Sequence, residues 1–241
     1  SAPGQDPITP RTPLSRERVI GAAIDLADAD GLVALSMRRL ASSLGVEAMS
    51  LYYHVRNKNE VLGGILERVL SELELPHAGT PWKQALRATA LSAHAVLDRH
   101  RWAASLLMTP GVSSATRVRW MEAVLAALAT ARLPPGLADH AYHALDSYVV
   151  GFTLWQSSIP LSPAQIDDLA RKYLATMPVA EFPHTAEHVR WHLQNSSGAG
   201  PGAFEAGLDM FLDGLELARI GRSAPGAAVH DPMDLTGEAD R

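Results

Sequence analysis

Residues 35–62 read LSMRRLASSLGVEAMSLYYHVRNKNEVL. Ser36 is placed to cap a helix, because a serine hydroxyl accepts from a free backbone N–H in the first turn. Leu40, Ala41 and Leu44 give that helix an apolar stripe. Gly45 stands where the helix must stop, since glycine takes the left-handed conformation at little cost. Val46 then plugs the space between two helices. A second helix over about 48–55 buries Leu51 and Val55 at i,i+4. Asn57 and Glu60 form an N-x-x-E capping box for a third. A helix, a tight turn, a short helix and a support helix make a helix-turn-helix, and duplex DNA becomes the expected partner.

The outward face of the short helix carries Ala48, Met49, Ser50, Tyr52, Tyr53 and His54. Small, apolar, hydroxyl and aromatic groups of this kind fit a groove, touch thymine methyls and donate to phosphates or base edges. Lys58 falls in the first turn of the support helix, beside free backbone N–H groups, which together make a phosphate site. Arg38 and Arg39 lie in the first turn of the Ser36 helix, within reach of a DNA backbone. From 36 to 58 four cations face one anion, Glu47, a local net charge of +3. Two short core helices of an ordinary bundle would also satisfy the capping and apolar signals. The crowding of two tyrosines and a histidine on one short helix, with positive charge on both sides, favours DNA.

The segment resembles the tetracycline-repressor (TetR) family of bacterial transcriptional regulators. The matching pieces are LSRERVIGAAIDLADADGLVALSMRRLA, the turn LGV, and SLYYHVRNKNEVL. The match runs over about 14–75, and GAFEAGLDMFLDGLELA near the C-terminus is similar to the family's last helix. The resemblance implies that Arg38 reaches a base or phosphate, that Ala48, Met49 and Ser50 open the recognition helix, that Tyr52, Tyr53 and His54 contact phosphates or bases, and that Lys58 clamps a phosphate. Some relatives carry Gln or Pro where this chain has Ala48 and Met49, so apolar contacts replace bidentate hydrogen bonds and no operator sequence transfers. The tetracycline repressor binds the drug's magnesium ion through a histidine at the position of Leu107, so a different, apolar or aromatic effector is implied here.

Composition sets the outer bounds. The chain has 241 residues, is 47% hydrophobic and contains no cysteine, enough for one or two packed cores and incompatible with disulfides or thiolate metal sites. The net charge of −5 does not argue against DNA, because affinity follows the local basic footprint. No apolar run reaches the roughly 20 residues of a membrane span, and no signal-peptide core is visible, so a cytoplasmic protein is expected. The pattern predicts an all-α chain: a flexible arm over 1–13, a helix-turn-helix unit with its linking helix over 14–75, a helical ligand-binding and dimerisation body over 76–222, and a disordered tail over 223–241.

Helices are expected at about 15–30, 58–73, 82–100, 103–108, 114–132, 137–157, 162–176, 184–194 and 204–220, with a flexible loop over 196–202. Phe204, Leu208, Phe211 and Leu215 repeat at 4-3-4 spacing, the seam of a packed helix pair. One short recognition helix spans few base pairs. Two of them about 34–36 Å apart reach successive major grooves, so a homodimer on a palindromic operator is expected. The family builds its dimer from the long helix and the last helix, and Gly151 and the 204–215 stripe suit that packing. The same stripe equally serves as core within one chain.

For a small-molecule effector the candidate lining is His94, Trp120, Tyr148, Phe152 and Trp155, bulky groups with polar tips on apolar helix faces. Each alone is as readily a core residue. His184, His188 and His192 share a helix face, but the outer two lie about 12 Å apart along the axis, and a solvent-facing stripe is the simpler reading. No metal site and no cofactor are expected. Nucleophile-elbow, P-loop, zincin and dinucleotide signatures are absent. A ligand-binding helical protein without DNA affinity, and an enzyme acting in the body, remain the alternatives.

Overall fold

Ser15 accepts from the Arg18 N–H at 3.3 Å and starts α1 (Arg16–Asp30), and Gly31, at φ 77°, stops it. The computed structural model describes residues 13–77, 79–112, 114–133, 135–159, 161–195 and 202–222. The arm over 1–13 (Pro13 apart), the loop over 196–201 and the tail over 223–241 lie outside them. After a single 3-10 turn at Leu32–Ala34 comes α2 (Met37–Leu44), capped by Ser36. Gly45 is left-handed (φ 65°, ψ 35°), and its own N–H and that of Val46 return to Ser42 and Ala41. Both residues act as the sequence predicts.

The next helix is shorter than expected. α3 (Ala48–Leu51) is a single regular turn. From there the N–H groups of Tyr52 and His54 take carbonyls three residues back, and that of Val55 reaches Leu51. The chain tightens into turns, as the end of a short helix commonly does. Leu51 and Val55 are nonetheless buried. α4 (Lys58–Leu70) begins at Asn57, whose side chain accepts from Glu60 N–H at 2.9 Å. Glu60 answers to the N–H of Arg56 (2.8 Å) rather than to that of Asn57, one residue earlier than a capping box requires.

The remaining helices are α5 (Trp82–Arg99), α6 (Trp102–Leu107), α7 (Ala115–Thr130), α8 (Pro135–Ser157), α9 (Pro163–Thr176), α10 (Pro183–Asn195) and α11 (Ala203–Arg222), and no strand occurs among the described residues. α5 is the axis of the body, packed by α7, α8 and α11. Bidentate Arg87–Asp209 and the Lys83–Asp213 pair tie α11 to α5. Phe204, Leu208 and Leu215 are buried within this one chain and Phe211 is half-buried. That stripe is intrachain core, which leaves other residues of α11 for any second copy. Gly207, not Gly151, permits a close approach: a Cβ there would collide with the Tyr148 hydroxyl, whereas Gly151 faces open space. α9 and α10 pack on one another and leave Leu169, Tyr173, Phe182 and Trp191 exposed.

α4 packs on α1 at one side and on α6 and α7 at the other. Val61, Ile65, Leu66, Val69 and Leu70 are all buried. At Gly64 a Cβ would strike Ile20 of α1, so the helices meet closely. On the body side Glu67 accepts from Ser114 Oγ (2.5 Å), Thr116 N–H (3.0 Å), Thr116 Oγ1 (2.7 Å) and Arg119 Nη2 (3.1 Å). One carboxylate thus satisfies the N-terminal end of α7. A second tie runs from α1, where Asp28 accepts from Trp102 Nε1 (2.5 Å) and meets His100 Nδ1 (2.9 Å).

Burial pushes the Glu67 carboxyl up. The hydrogen bonds from Ser114 and Thr116 and the Arg119 charge outweigh it and hold the group down at about 2. Its stabilising effect is complete above the ordinary carboxylate value of about 4.5 and is lost as pH falls toward 2. The side chain is 37% exposed, so solvent screening reduces the contribution to about 1–2 kcal/mol. Glu67→Gln is expected to lower stability by that amount at pH 7 and to flatten the loss between pH 5 and 2. Urea unfolding across that range checks it, and equal acid sensitivity in both proteins would refute the assignment.

Candidate nucleic-acid interface and effector cavity

α2 and α3 present their polar side away from the core. Met49 is 70% and Tyr53 88% exposed, and Tyr52, Arg38 and Lys58 are exposed as well. Ala48, Ser50 and His54 are half-buried at the base of the same face. The side chains of Arg38, Tyr52, Tyr53 and Lys58 make no hydrogen bond or ion pair among the described residues. Arg39 differs, since Asp30 holds it at 2.6 Å, and Arg56 sits near Glu60 at 4.0 Å. Of the cations around the turn, Arg38 and Lys58 are therefore the two with no competing anion. Lys58 opens α4, where free N–H groups add to its charge.

In the body, the five candidate lining residues separate. His94 stacks on Phe204 (3.9 Å between ring centres) and meets Phe152 edge-on at 5.5 Å. Tyr148 stacks on Phe204 at 5.1 Å and donates to its carbonyl at 2.8 Å. Trp155 touches Phe152 at 5.8 Å but is itself half-exposed. These rings bind α5, α8 and α11 together. Thr153 Oγ1 donates to the Val149 carbonyl (3.0 Å) and lies 3.4 Å from His94 Nδ1.

Trp120 lies elsewhere. It is 2% exposed and lines a small cavity with Leu70 at the end of α4, Leu73 just beyond it, Ala93 and Leu97 of α5, Leu107, Arg117 and Val149. The space open to the centre of a water-sized sphere is about 10 Å³, room for one water. The Trp120 indole N–H has no hydrogen-bond partner among the described residues. A buried donor left in that state costs about 1–3 kcal/mol. The Arg117 guanidinium sits 4.9 Å from the Trp120 ring centre and pairs with Asp146 at 2.6 Å. Asp146 Oδ1 is buried without a partner among the described residues. Arg117, Asp146 and Glu67 escaped the sequence reading, because nothing in their spacing reveals that α7 and α8 bring them beside Trp120 or α4. A wide cleft of about 1070 Å³ opens between α1, α4 and the start of α7, lined by Arg16, Glu60, Glu67 and Arg68 among others. His188 and His192 meet edge-on at 4.4 Å, and among the described residues no three groups converge to hold a metal ion.

The family profile "Tetracyclin repressor-like, C-terminal domain" matches residues 75–219, and that of "Bacterial regulatory proteins, tetR family" matches 19–65. The chain belongs to the tetR family. The HTH-type transcriptional repressor DrrR1 of Streptomyces coeruleorubidus is 34% identical over 235 residues, covering 90% of this chain and 83% of the relative. The tetracycline repressor of class C from Escherichia coli is 29% identical over 215 residues, 86% of this chain and 93% of its own length. Among solved structures, apo ActR of Streptomyces coelicolor aligns with a TM-score of 0.71 at 29% identity, covering 88% of this chain and 99% of ActR. ActR has also been seen in complex with actinorhodin, at the same TM-score and identity. This tetR-family chain is accordingly a DNA-binding transcriptional regulator. None of its helices is long and apolar enough to cross a membrane, among the described residues.

Burial holds the His94 imidazole below its ordinary value of 6.5, against the pull of Asp98 and Glu205. Between the folded value and 6.5 the unfolded chain binds more protons, so stability falls as pH falls through that window. His94→Phe, which keeps the stacked ring, is expected to lessen the loss of thermal stability between pH 7 and 5.5. An unchanged pH dependence would show that the imidazole charges freely in the folded protein.

Proposed function

We propose that this repressor reads a palindromic operator in the cytoplasm as a homodimer, with 14–75 as the reading unit and 76–222 as the effector-binding body. The observation that carries the reading is the unpartnered face formed by Arg38, Met49, Tyr52, Tyr53 and Lys58. Ala48, Met49 and Ser50 meet base edges and thymine methyls, Tyr52, Tyr53 and His54 reach phosphates or bases, Arg38 approaches from α2, and Lys58 clamps a phosphate. The duplicate copy docks on the surface left over by the intrachain core. On α11 that surface is Met210, Gly214, Leu217 and Gly221, and on α8 it is Ala144, Ser147 and Gly151, all exposed. Small residues on α8 let the facing helices approach.

The effector is a small, largely apolar or aromatic molecule, as ActR is seen with actinorhodin. Its cavity is the one beside Trp120; His94, Tyr148, Phe152 and Trp155 are not among its lining residues and instead hold α5, α8 and α11 together around Phe204. A cavity with room for one water admits an effector only by opening. Leu70 and Leu73 form part of its wall, so opening displaces the end of α4, the helix that holds the reading head. Binding then favours a head arrangement that no longer matches the groove spacing.

Selection from a random DNA pool at near-physiological salt is expected to recover a palindrome with half-sites about one helical turn apart. Recovery of no motif by folded protein would defeat the reading and favour a ligand-binding protein without DNA specificity. On the recovered site, Lys58→Ala is expected to weaken binding across sequences and to reduce the salt slope by about 1. Tyr53→Ala should weaken operator binding while leaving unfolding stability within about 0.5 kcal/mol of the parent, as expected for an exposed side chain.

A further inference from the structure

We propose that the Trp120 indole N–H is the recognition point for a neutral, carbonyl-bearing and otherwise apolar effector. This rests on the regulator reading above and names the chemistry of its ligand. The indole nitrogen is a donor with no acceptor role, it is buried, and it has no partner among the described residues. Indole N–H groups in protein interiors ordinarily find one. Apart from Arg117 and Trp120 the cavity wall is aliphatic, chiefly Leu70, Leu73, Leu97, Leu107 and Val149. An apolar enclosure with a single unmatched donor selects a ligand that is apolar except for one acceptor.

The charge state of the wall narrows the class further. Among the described residues Arg117 is the one ionisable group lining the cavity, and Asp146 neutralises it at 2.6 Å while the guanidinium stays against the Trp120 ring. The pair offers an incoming molecule no net charge. A carboxylate would compete with Asp146, and an ammonium would meet Arg117 in a poorly solvated space. A ketone, quinone or ester oxygen needs only the hydrogen bond that Trp120 leaves unused. The cavity is small as it stands, so a compact probe and an enlarged cavity suit the test. Leu107 is half-buried and lines the space. Its truncation to alanine adds room.

The experiment compares 1-indanone, indane and indane-1-carboxylate, which share a bicyclic frame and differ in the polar group. Binding to the full chain and to Leu107→Ala is followed by the indole N–H resonances, with that of Trp120 assigned from Trp120→Phe. 1-Indanone is expected to bind Leu107→Ala about ten-fold more tightly than indane, to shift the Trp120 resonance downfield, and to outcompete the carboxylate. Trp120→Phe in the Leu107→Ala background should retain indane binding and abolish the preference for the ketone. Equal affinity for indane and 1-indanone, a shift confined to another tryptophan, or no binding to Leu107→Ala would each overturn the assignment. A water filling the space gives the first of these results. Operator selection is scored separately: its failure removes the regulator reading, whereas loss of the ketone preference removes only this subsite.

Discussion

α4 has to be buried on two sides at once, and the rest of the molecule is arranged around that requirement. Gly64 admits α1 against one side, where a side chain would meet Ile20. Leu66, Val69 and Leu70 are closed off within the body. Hydrophobic burial alone is non-directional and would tolerate sliding or rotation of the helix. Glu67 removes that freedom, because its two oxygens are matched to Ser114, Thr116 and Arg119 at the start of α7. The Asp28 contacts to Trp102 and His100 add a second fixed point from α1. The reading head is thus held to the body by directional polar bonds as well as by packing.

The same helix explains how a site with no chemistry of its own can act at a distance. α7 is held by Glu67 at its first turn, which also carries Arg117, and Trp120 follows in the next. The end of α4 and the turn after it supply Leu70 and Leu73 to the cavity that Trp120 lines. Cavity, α7 and α4 are therefore in direct contact, with no need for a long chain of intermediates. Close-packed interiors respond to an inserted group by displacing whole elements. At the other end, the exposed cations around the turn that have no ion-pair partner among the described residues are Arg38 and Lys58. Local pairing, such as Asp30 with Arg39, decides this, and the overall charge of −5 does not.

The differences from the sequence reading fall where long-range packing intervenes. Leu51 and Val55 are buried as their spacing requires, yet α3 loses regularity after Leu51, since one turn provides few bonds to propagate a helix. The 204–215 stripe on α11 is apolar for an intrachain partner, and no periodicity distinguishes that from a dimer seam. His94 and Trp120 both lie on apolar helix faces, but one is stacked on Phe204 and the other stands at the cavity. Hydropathy marks both as inward without saying inward to what.

What the amino-acid order determined by itself was local: Ser15, Ser36 and Asn57 as caps, Gly31 and Gly45 as stops, the turn between α2 and α3, and the all-helical pattern beyond. These depend on backbone sterics and on hydrogen bonds spanning three or four residues, so nearby sequence contains all the needed information. The tertiary structure alone decided that Glu67 caps α7, that Arg117 pairs with Asp146, and that Trp120 keeps a free donor beside the end of α4. Each joins residues 29 or more positions apart through the packing of α4, α5, α7 and α8. Only the assembled core sets which side chains face one another and which polar atom is left unmatched.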